Sequence, residues 1–501
     1  VAQRTATISE AELLDKIKGA WAGQMIGVTV GGPTEFVALG EMYTKPVEWD
    51  PKRISDTLQQ DDLYVEMTFC KVLDDEGIGA PMASFGKAFG ASKYQLWHAN
   101  FKARQNLLVG IAPPLSGHPD YNIHADDIDF QIESDFIGLM CPGMPNTAVE
   151  FADRVGRVMN YGDGVYGGMF MAAMYSAAFF ETDVRRVLEA GISVVPKQSE
   201  FRQAVMFTID AIRRHPDDLA VAWNEFQERW ANTDACSAGA LHPFDIDAKS
   251  NAAYVVFGLL YGEGDFKKTV ESSVLCGQDS DCNPASAAGI IGAMKGYAGL
   301  DAEWRRELEA IGDQKFSYTE YSFNTISQSS MRHAKTVIKQ NGGKIDGDSF
   351  IVALQTATPA PLEQWKQDKP IKRVGHDDPG FSFTGAWKDA GPERQSSTSG
   401  DTATYAFEGT GAIVMGRYDA DCCIASVALD GKHVRDVNLF YDWRAYGMEG
   451  FREESLYHVF GLERGKHVIS VTVTGKKHAL ATGAIIGIEG AILYDGPETA
   501  R

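Results

Sequence analysis

Cysteine is scarce in this chain of 501 residues: there are seven, at Cys70, Cys141, Cys236, Cys276, Cys282, Cys422 and Cys423, and no two form a C-x-x-C pair. That excludes a disulfide-built scaffold and a zinc site made of cysteine pairs. It leaves the redox compartment open, because a large core holds together without disulfides. Basic residues are in deficit too, 47 Lys and Arg against 68 Asp and Glu, for a formal charge of -21. A chain of that sign repels a phosphate backbone, so nucleic acid is not an expected partner. No run of about 18 apolar residues occurs, and no membrane span is expected. The chain opens at Val1 rather than Met, so any signal peptide is expected to have been removed already. Histidines form no metal-binding set, and there is no Gly-x-Ser-x-Gly elbow or phosphate-binding glycine loop. Serine-hydrolase and nucleotide-kinase chemistry therefore fall away.

What is present is a globular composition, 44% apolar and 23% charged, at a length that suits two or three domains. The first two thirds carry helical periodicity. Ser9 and Glu12 read as a capping box, with Leu13, Ile17 and Trp21 on one face of a first helix running from about residue 10 to the glycines near 27. Leu63, Met67 and Cys70 repeat at helical spacing directly after Asp61-Asp62, which places that acidic pair at a helix N-terminus. Phe266, Val270 and Val274 form another face ended by Gly277, and Pro284 suits the first turn of the next helix. The small residues Ala285 to Gly296 suit a helix buried among close neighbours. After about residue 345 the period changes to two, with Asp430-Gly431 as a hairpin turn. The expected fold is multidomain: a helical domain over 1–345, a linker over 346–375, and an all-β, jelly-roll-like sandwich of about eight strands over 376–501.

Two acidic pairs, Asp61-Asp62 and Asp279-x-Asp281, sit far apart in sequence, each at a loop-to-helix junction. Carboxylates in such clusters suit hard cations, and two clusters converging on one point can hold a pair of cations bridged by a single Asp. Helix N-capping is the plain alternative for either pair alone. A denser segment, Asn122 to Asp135, precedes the apolar run Phe136 to Met140 and reads as one lip of a cleft. Asn122, His124, Asp129, Gln131 and Asp135 are its candidates for binding substrate hydroxyls, against a solvated charge run as the alternative. Asp163, in the Gly162-Asp163-Gly164 turn, is a further candidate for contact with substrate.

The ordered motifs Lys18 to Gly27, Gly32-Pro33-Thr34-Glu35, Gln60-Asp61-Asp62, Asn160 to Gly164 and Gly277 to Asn283 resemble those of the ADP-ribosylglycohydrolase superfamily over about residues 10–340. The resemblance implies an all-α domain whose cleft holds one or two divalent cations, Mg²⁺ foremost, with Ca²⁺ or Mn²⁺ as alternatives. It implies Gln60, Asp61, Asp62, Asp279, Asp281 and either Cys282 or Asn283 as ligands, and Glu35 as acid/base with Asp62 beside it in the catalytic set. Gln60 and Cys282 depart from the family pattern, which usually has Thr at both places. A Gln carbonyl replaces one hydroxyl, but a thiol is a poor ligand for a hard cation.

The segment from about 376 to 496 resembles β-sandwich modules of secreted carbohydrate-active enzymes. Trp387, Tyr441, Trp443 and Tyr446 are its candidates for stacking on sugar rings, or else core. The expected activity is metal-dependent hydrolysis of a glycosidic bond on a glycan or glycoconjugate, in a periplasmic or secreted setting, with the cytoplasm as the alternative. Hydrolysis of ADP-ribosyl substrates is the second reading, and a noncatalytic carbohydrate-binding protein the third.

Overall fold

The computed structural model describes residues 4–231 and 233–496. A helical unit extends from Glu10 to Gln340, and two antiparallel sheets follow it. The first helix, α1 (Glu10–Gly31), is capped as its sequence predicts, with the Ser9 hydroxyl accepting from the Glu12 amide at 3.1 Å. It does not stop at Gly27, however. Four glycines spaced by four residues, Gly19, Gly23, Gly27 and Gly31, lie along its contact with the buried helix Cys282–Lys295. A Cβ at Gly19 would sit 2.7 Å from the carbonyl carbon of Gly296, at Gly23 2.7 Å from that of Ala288, at Gly27 2.6 Å from the Ala285 Cα, and at Gly31 2.5 Å from the Asp281 Cα. The residues that would end an isolated helix are those that let this one touch its neighbour backbone to backbone.

That contact predicts a measurable penalty. Gly23→Ala gains up to about 1 kcal/mol of helix propensity, yet its methyl has only peptide backbone to push against. The net result expected is a loss of about 1–3 kcal/mol in urea unfolding. A neutral or stabilising outcome would show that the two helices have room to part.

The segment expected to be a linker is largely built structure. Strand β1 (Thr5–Ser9), strand β2 (Lys344–Asp346) and strand β3 (Ser349–Ala353) form a small antiparallel sheet in the order β1-β3-β2. Thr5 pairs with Ala353, so the two ends of the helical unit are tied together. Strand β4 (Lys369–Gly375) pairs with the last strand, Ile486–Asp495, of the sheet unit. Between β3 and β4 the chain is still held, by Gln355 on the Asn146 and Thr147 amides and by Glu363 on Arg157.

The sheet unit comprises a five-stranded and a six-stranded sheet. Asp430 and Gly431 both take positive φ, 50° and 78°, in the tight turn between Ile424–Leu429 and Lys432–Asn438. Such φ values match the strand twist across a two-residue hairpin. The aromatic residues considered for sugar stacking are buried. Trp443 stacks on Phe101 at 4.5 Å, and the Tyr441 hydroxyl accepts from Arg104 Nε and Nη2 at 2.9 and 2.7 Å. Arg104 also lies 3.7 Å from the ring centre of Tyr446, and Trp387 packs 5.2 Å from Phe383. Three of these rings therefore bind the two units to each other, and the fourth belongs to the sandwich core.

Candidate active site

The buried contact of α1 with Cys282–Lys295 brings three distant motifs together. Beyond Gly31 a short turn carries Thr34, whose hydroxyl bonds the Gly31 carbonyl at 2.8 Å and the Ser280 hydroxyl at 2.7 Å. The Phe36 amide then donates to the Gln278 carbonyl at 2.9 Å. Glu35 is thus held between two anchors on the loop that bears Asp279 and Asp281. The third motif is the start of α2 (Asp61–Glu76), where the Asp62 amide donates to Asp61 Oδ1 at 3.0 Å. Asp281 caps its helix in the same way, accepting from the Cys282 amide at 2.9 Å. Capping and convergence are both true of these pairs.

Donor atoms of Asp61, Asp62 and Cys282 lie within 4.8 Å of one another, as do those of Asp279, Asp281 and Cys282. Cys282 is the residue the two groups share. Burial pushes the carboxyls of Asp61, Asp62 and Asp281 up, and that of Asp279 up to about 7. Glu35 is exposed at the mouth, but desolvation of its carboxyl, followed by the charges of Asp281 and Asp61, pushes it up to about 8. Asp62 Oδ1, Asp279 Oδ1 and Asn283 Oδ1 are buried with no hydrogen-bond partner. Crowded carboxylates with orphaned oxygens and no Lys or Arg among the cleft-lining residues fit a divalent cation. Gln60, Asp61, Asp62, Asp279 and Asp281 offer oxygens to it. Burial, with Asp279 and Asp281 beside it, pushes the Cys282 thiol up and keeps it a neutral, weak donor when no cation is present.

The cleft around this cluster measures about 530 Å³. Beside Glu35, Gln60, Asp61, Asp279 and Cys282 it is lined by Phe36, Tyr64, Trp97, His98, Phe244 and Phe451. Phe36 and Phe244 lie 5.0 Å apart, and His98 lies 5.4 Å from Phe244. Burial, then His124, lowers His98 to about 3, so its ring is neutral. Phe451 comes from the sheet unit, and close by the Gly447 carbonyl accepts from Gln95 at 3.1 Å. The second unit is therefore a wall of the cleft. None of these aromatic residues lies in a motif the sequence singled out. Their signal is spatial, except that Trp97-His98 opens the helix His98–Leu108.

The 122–135 segment is not a lip but a buried strip. Of its candidate residues only Asp129 reaches the cleft, flanked there by Ile128 and Ile132, and it caps the His98–Leu108 helix through the Ala99 and Asn100 amides at 3.3 and 2.9 Å. Burial pushes its carboxyl up to about 7. Asn122 donates to the Ala99 and Met159 carbonyls, and Gln131 bonds the Ala248 carbonyl. His124 sits between Asp127 and Glu454 at 2.7 and 3.2 Å, fully buried. Asp135 accepts from the Tyr175 hydroxyl at 2.8 Å. Asp163 accepts from the Phe201 amide at 3.0 Å and is not among the cleft-lining residues. The substrate contacts expected of Asn122, His124, Gln131, Asp135 and Asp163 are replaced by buried hydrogen bonds, most of them to groups distant in sequence.

The sequence matches the ADP-ribosylglycohydrolase family over residues 9–329. No curated protein matches it. Among solved structures, an ADP-ribosylglycohydrolase-related protein complex is 15% identical, covering 65% of this chain and 99% of that one, with a TM-score of 0.40. A two-domain esterase active on acetylated mannans is 17% identical over 35% of this chain and 47% of that one, with a TM-score of 0.22. A Paenibacillus xanthan lyase is 13% identical over 29% and 15%, with a TM-score of 0.21. Similarities at such TM-scores carry no weight beside the sequence match. That match spans well over half of the chain and includes every motif that converges on the acidic cleft, so the chain belongs to the ADP-ribosylglycohydrolase family of hydrolases.

Proposed function

We propose that this protein is a metal-dependent hydrolase of glycosidic bonds whose substrate is a glycan. The observation that carries the proposal is the lining of the cleft: five aromatic rings and a set of carboxylates, with neither Lys nor Arg among the lining residues. Sugars stack on aromatic faces and bond to carboxylates, whereas a diphosphate calls for cations or free helix N-termini. Three helix N-termini stand at the cleft, and each already has a carboxylate on it: Asp61 takes one amide of α2, Asp281 one of Cys282–Lys295 and Asp129 two of His98–Leu108. An extracytoplasmic setting accompanies a glycan substrate and is part of the same proposal.

When bound, a divalent cation supplies Lewis-acid charge for orienting substrate hydroxyls. The chain supplies the rest. Gln60, Asp61, Asp62, Asp279 and Asp281 would hold the cation. Glu35, whose carboxyl is raised chiefly by desolvation, would deliver a proton from Oε to the leaving-group oxygen or nitrogen, and the resulting carboxylate would accept one from water. Phe36, Trp97 and Phe451 exclude solvent and bracket the ring. Family membership favours ADP-ribosyl substrates as a second reading.

A chromatographic hydrolysis screen separates the two. The purified chain is incubated with Mg²⁺, Ca²⁺ or EDTA, against ADP-ribosylated arginine and serine peptides and a panel of oligosaccharides. The expected result is cation-dependent release of a simple sugar with no ADP-ribose. Release of ADP-ribose alone would overturn the glycan assignment.

A further inference from the structure

A second cluster lies behind the cleft wall that Ile128 and Ile246 form, where the helical unit receives the sheet unit. The loop carrying Asp126 and Asp127 is bridged to Asp247, with the Ile128 amide on the Ile246 carbonyl at 2.9 Å. Beside it, Asp234 folds its own loop by accepting from the Cys236 amide at 2.9 Å and the Ile246 amide at 3.2 Å. Donor atoms of Asp127, Asp234 and Cys236 all lie within 4.8 Å of one another. All three residues are buried, at 0, 2 and 0% exposure.

Two carboxylates this close in a dry interior repel unless something positive lies between them. The cations nearby are already engaged: His124 bonds Asp127 through its other oxygen, and Lys249 pairs with Asp247. Asp127 Oδ1 is left buried with no partner, although its neighbours in this cluster are a carboxylate and a thiol. A buried acceptor left unmade costs about 1–3 kcal/mol, more for a charged group.

We propose that Asp127, Asp234 and Cys236 form a second metal site, for a zinc-type cation, distinct from the oxygen-rich cluster of the cleft. Two carboxylate oxygens and a sulfur suit a borderline ion rather than Mg²⁺ or Ca²⁺. On binding, the Cys236 thiol gives its proton to solvent and donates as thiolate. His124 then orients Asp127 from behind, as outer partners of metal ligands do. The site also lies where the two units grip each other. Tyr494 donates to the Ala235 carbonyl at 2.7 Å, Arg373 to the Ser237 carbonyl at 2.8 Å, and His124 reaches Glu454. A cation here ties together both loops that receive the sheet unit.

The test uses the full chain carrying Cys282→Ser, so that the cleft offers no thiol, produced with Zn²⁺ or Co²⁺ in the medium. One tightly held equivalent of metal beyond any that the cleft holds is expected, and the cobalt form is expected to show thiolate-to-cobalt charge-transfer absorption. Adding Cys236→Ser or Asp127→Asn removes both. The proposal is overturned if the cobalt form shows no such absorption and zinc content is the same with and without Cys236, leaving a thiol that merely hydrogen-bonds Asp234. Should the doubly substituted chain fail to fold, the cobalt spectrum of Cys282→Ser decides alone. The remaining cysteines, Cys70, Cys141, Cys276, Cys422 and Cys423, belong to no comparable cluster among the described residues.

Discussion

Glu35→Gln lowers kcat by about 10²–10⁴-fold on the substrate found by the screen, the range expected when an acid/base group is lost. The substitution keeps the size of the side chain and removes only its titrating proton. Thr34 and Phe36 hold the loop through hydroxyl and backbone bonds that Gln does not disturb, so the position of residue 35 is retained. KM and the affinity for cation are therefore expected to change little, since the aspartates are untouched. The split is what separates a proton-transfer role from a structural one. If the variant retained near-normal kcat, Glu35 would be a bystander at the mouth of the cleft, and the acid would have to be sought among the buried carboxyls.

His124→Ala destabilises the fold by about 3–5 kcal/mol, the cost of leaving buried charges without their partner. The imidazole is fully buried between Asp127 and Glu454, one carboxylate from each unit. Burial alone pulls its pKa down, but the charges of Glu454 and Asp127 and their hydrogen bonds more than reverse this, so the net shift is well upward. The sign follows directly. A histidine whose folded pKa exceeds its unfolded one contributes fully below the ordinary histidine range, and its contribution is lost as pH rises through the raised value. Urea unfolding of the wild type and His124→Ala across neutral to alkaline pH checks both statements: the gap between them narrows as pH climbs. A gap that stays constant with pH would show that His124 acts through packing rather than charge.

The parts of this molecule that were legible in the sequence are those decided within one turn of chain. Ser9, Asp61, Gly277 and Pro284 mark helix boundaries because capping, a positive φ and a missing amide act locally. The change to period two after about residue 345 announced the strands for the same reason. Elements settled by distant partners were misread. α1 outruns its expected end because the groove that accepts Gly27 and Gly31 belongs to a helix more than 250 positions later. Segment 122–135 read as one lip of the cleft because most of the groups that bury it, on Asn100, Tyr175, Ala248 and Glu454, lie far away in sequence. Tyr441 and Trp443 looked free to meet a sugar because Phe101 and Arg104, which cover them, lie in the other unit. Phe451 entered the cleft unannounced for the same reason.

The glycine stripe along α1 also sets the dimensions of the cleft. With no side chains between the helices, the backbone of the turn that carries Glu35 is set against that of Ser280 and Asp281 at the thickness of two peptide backbones, and only the Glu35 side chain itself can vary the reach of its carboxyl. One residue gained or lost in α1 would turn everything beyond it by about 100° and shift it by about 1.5 Å. The stripe would then face the wrong neighbour, and the acid would swing off the cluster. Across descendants of this chain, the composition of the pocket can drift freely by substitution, while the count of residues from Gly19 to Glu35 acts as a ruler that admits no insertion.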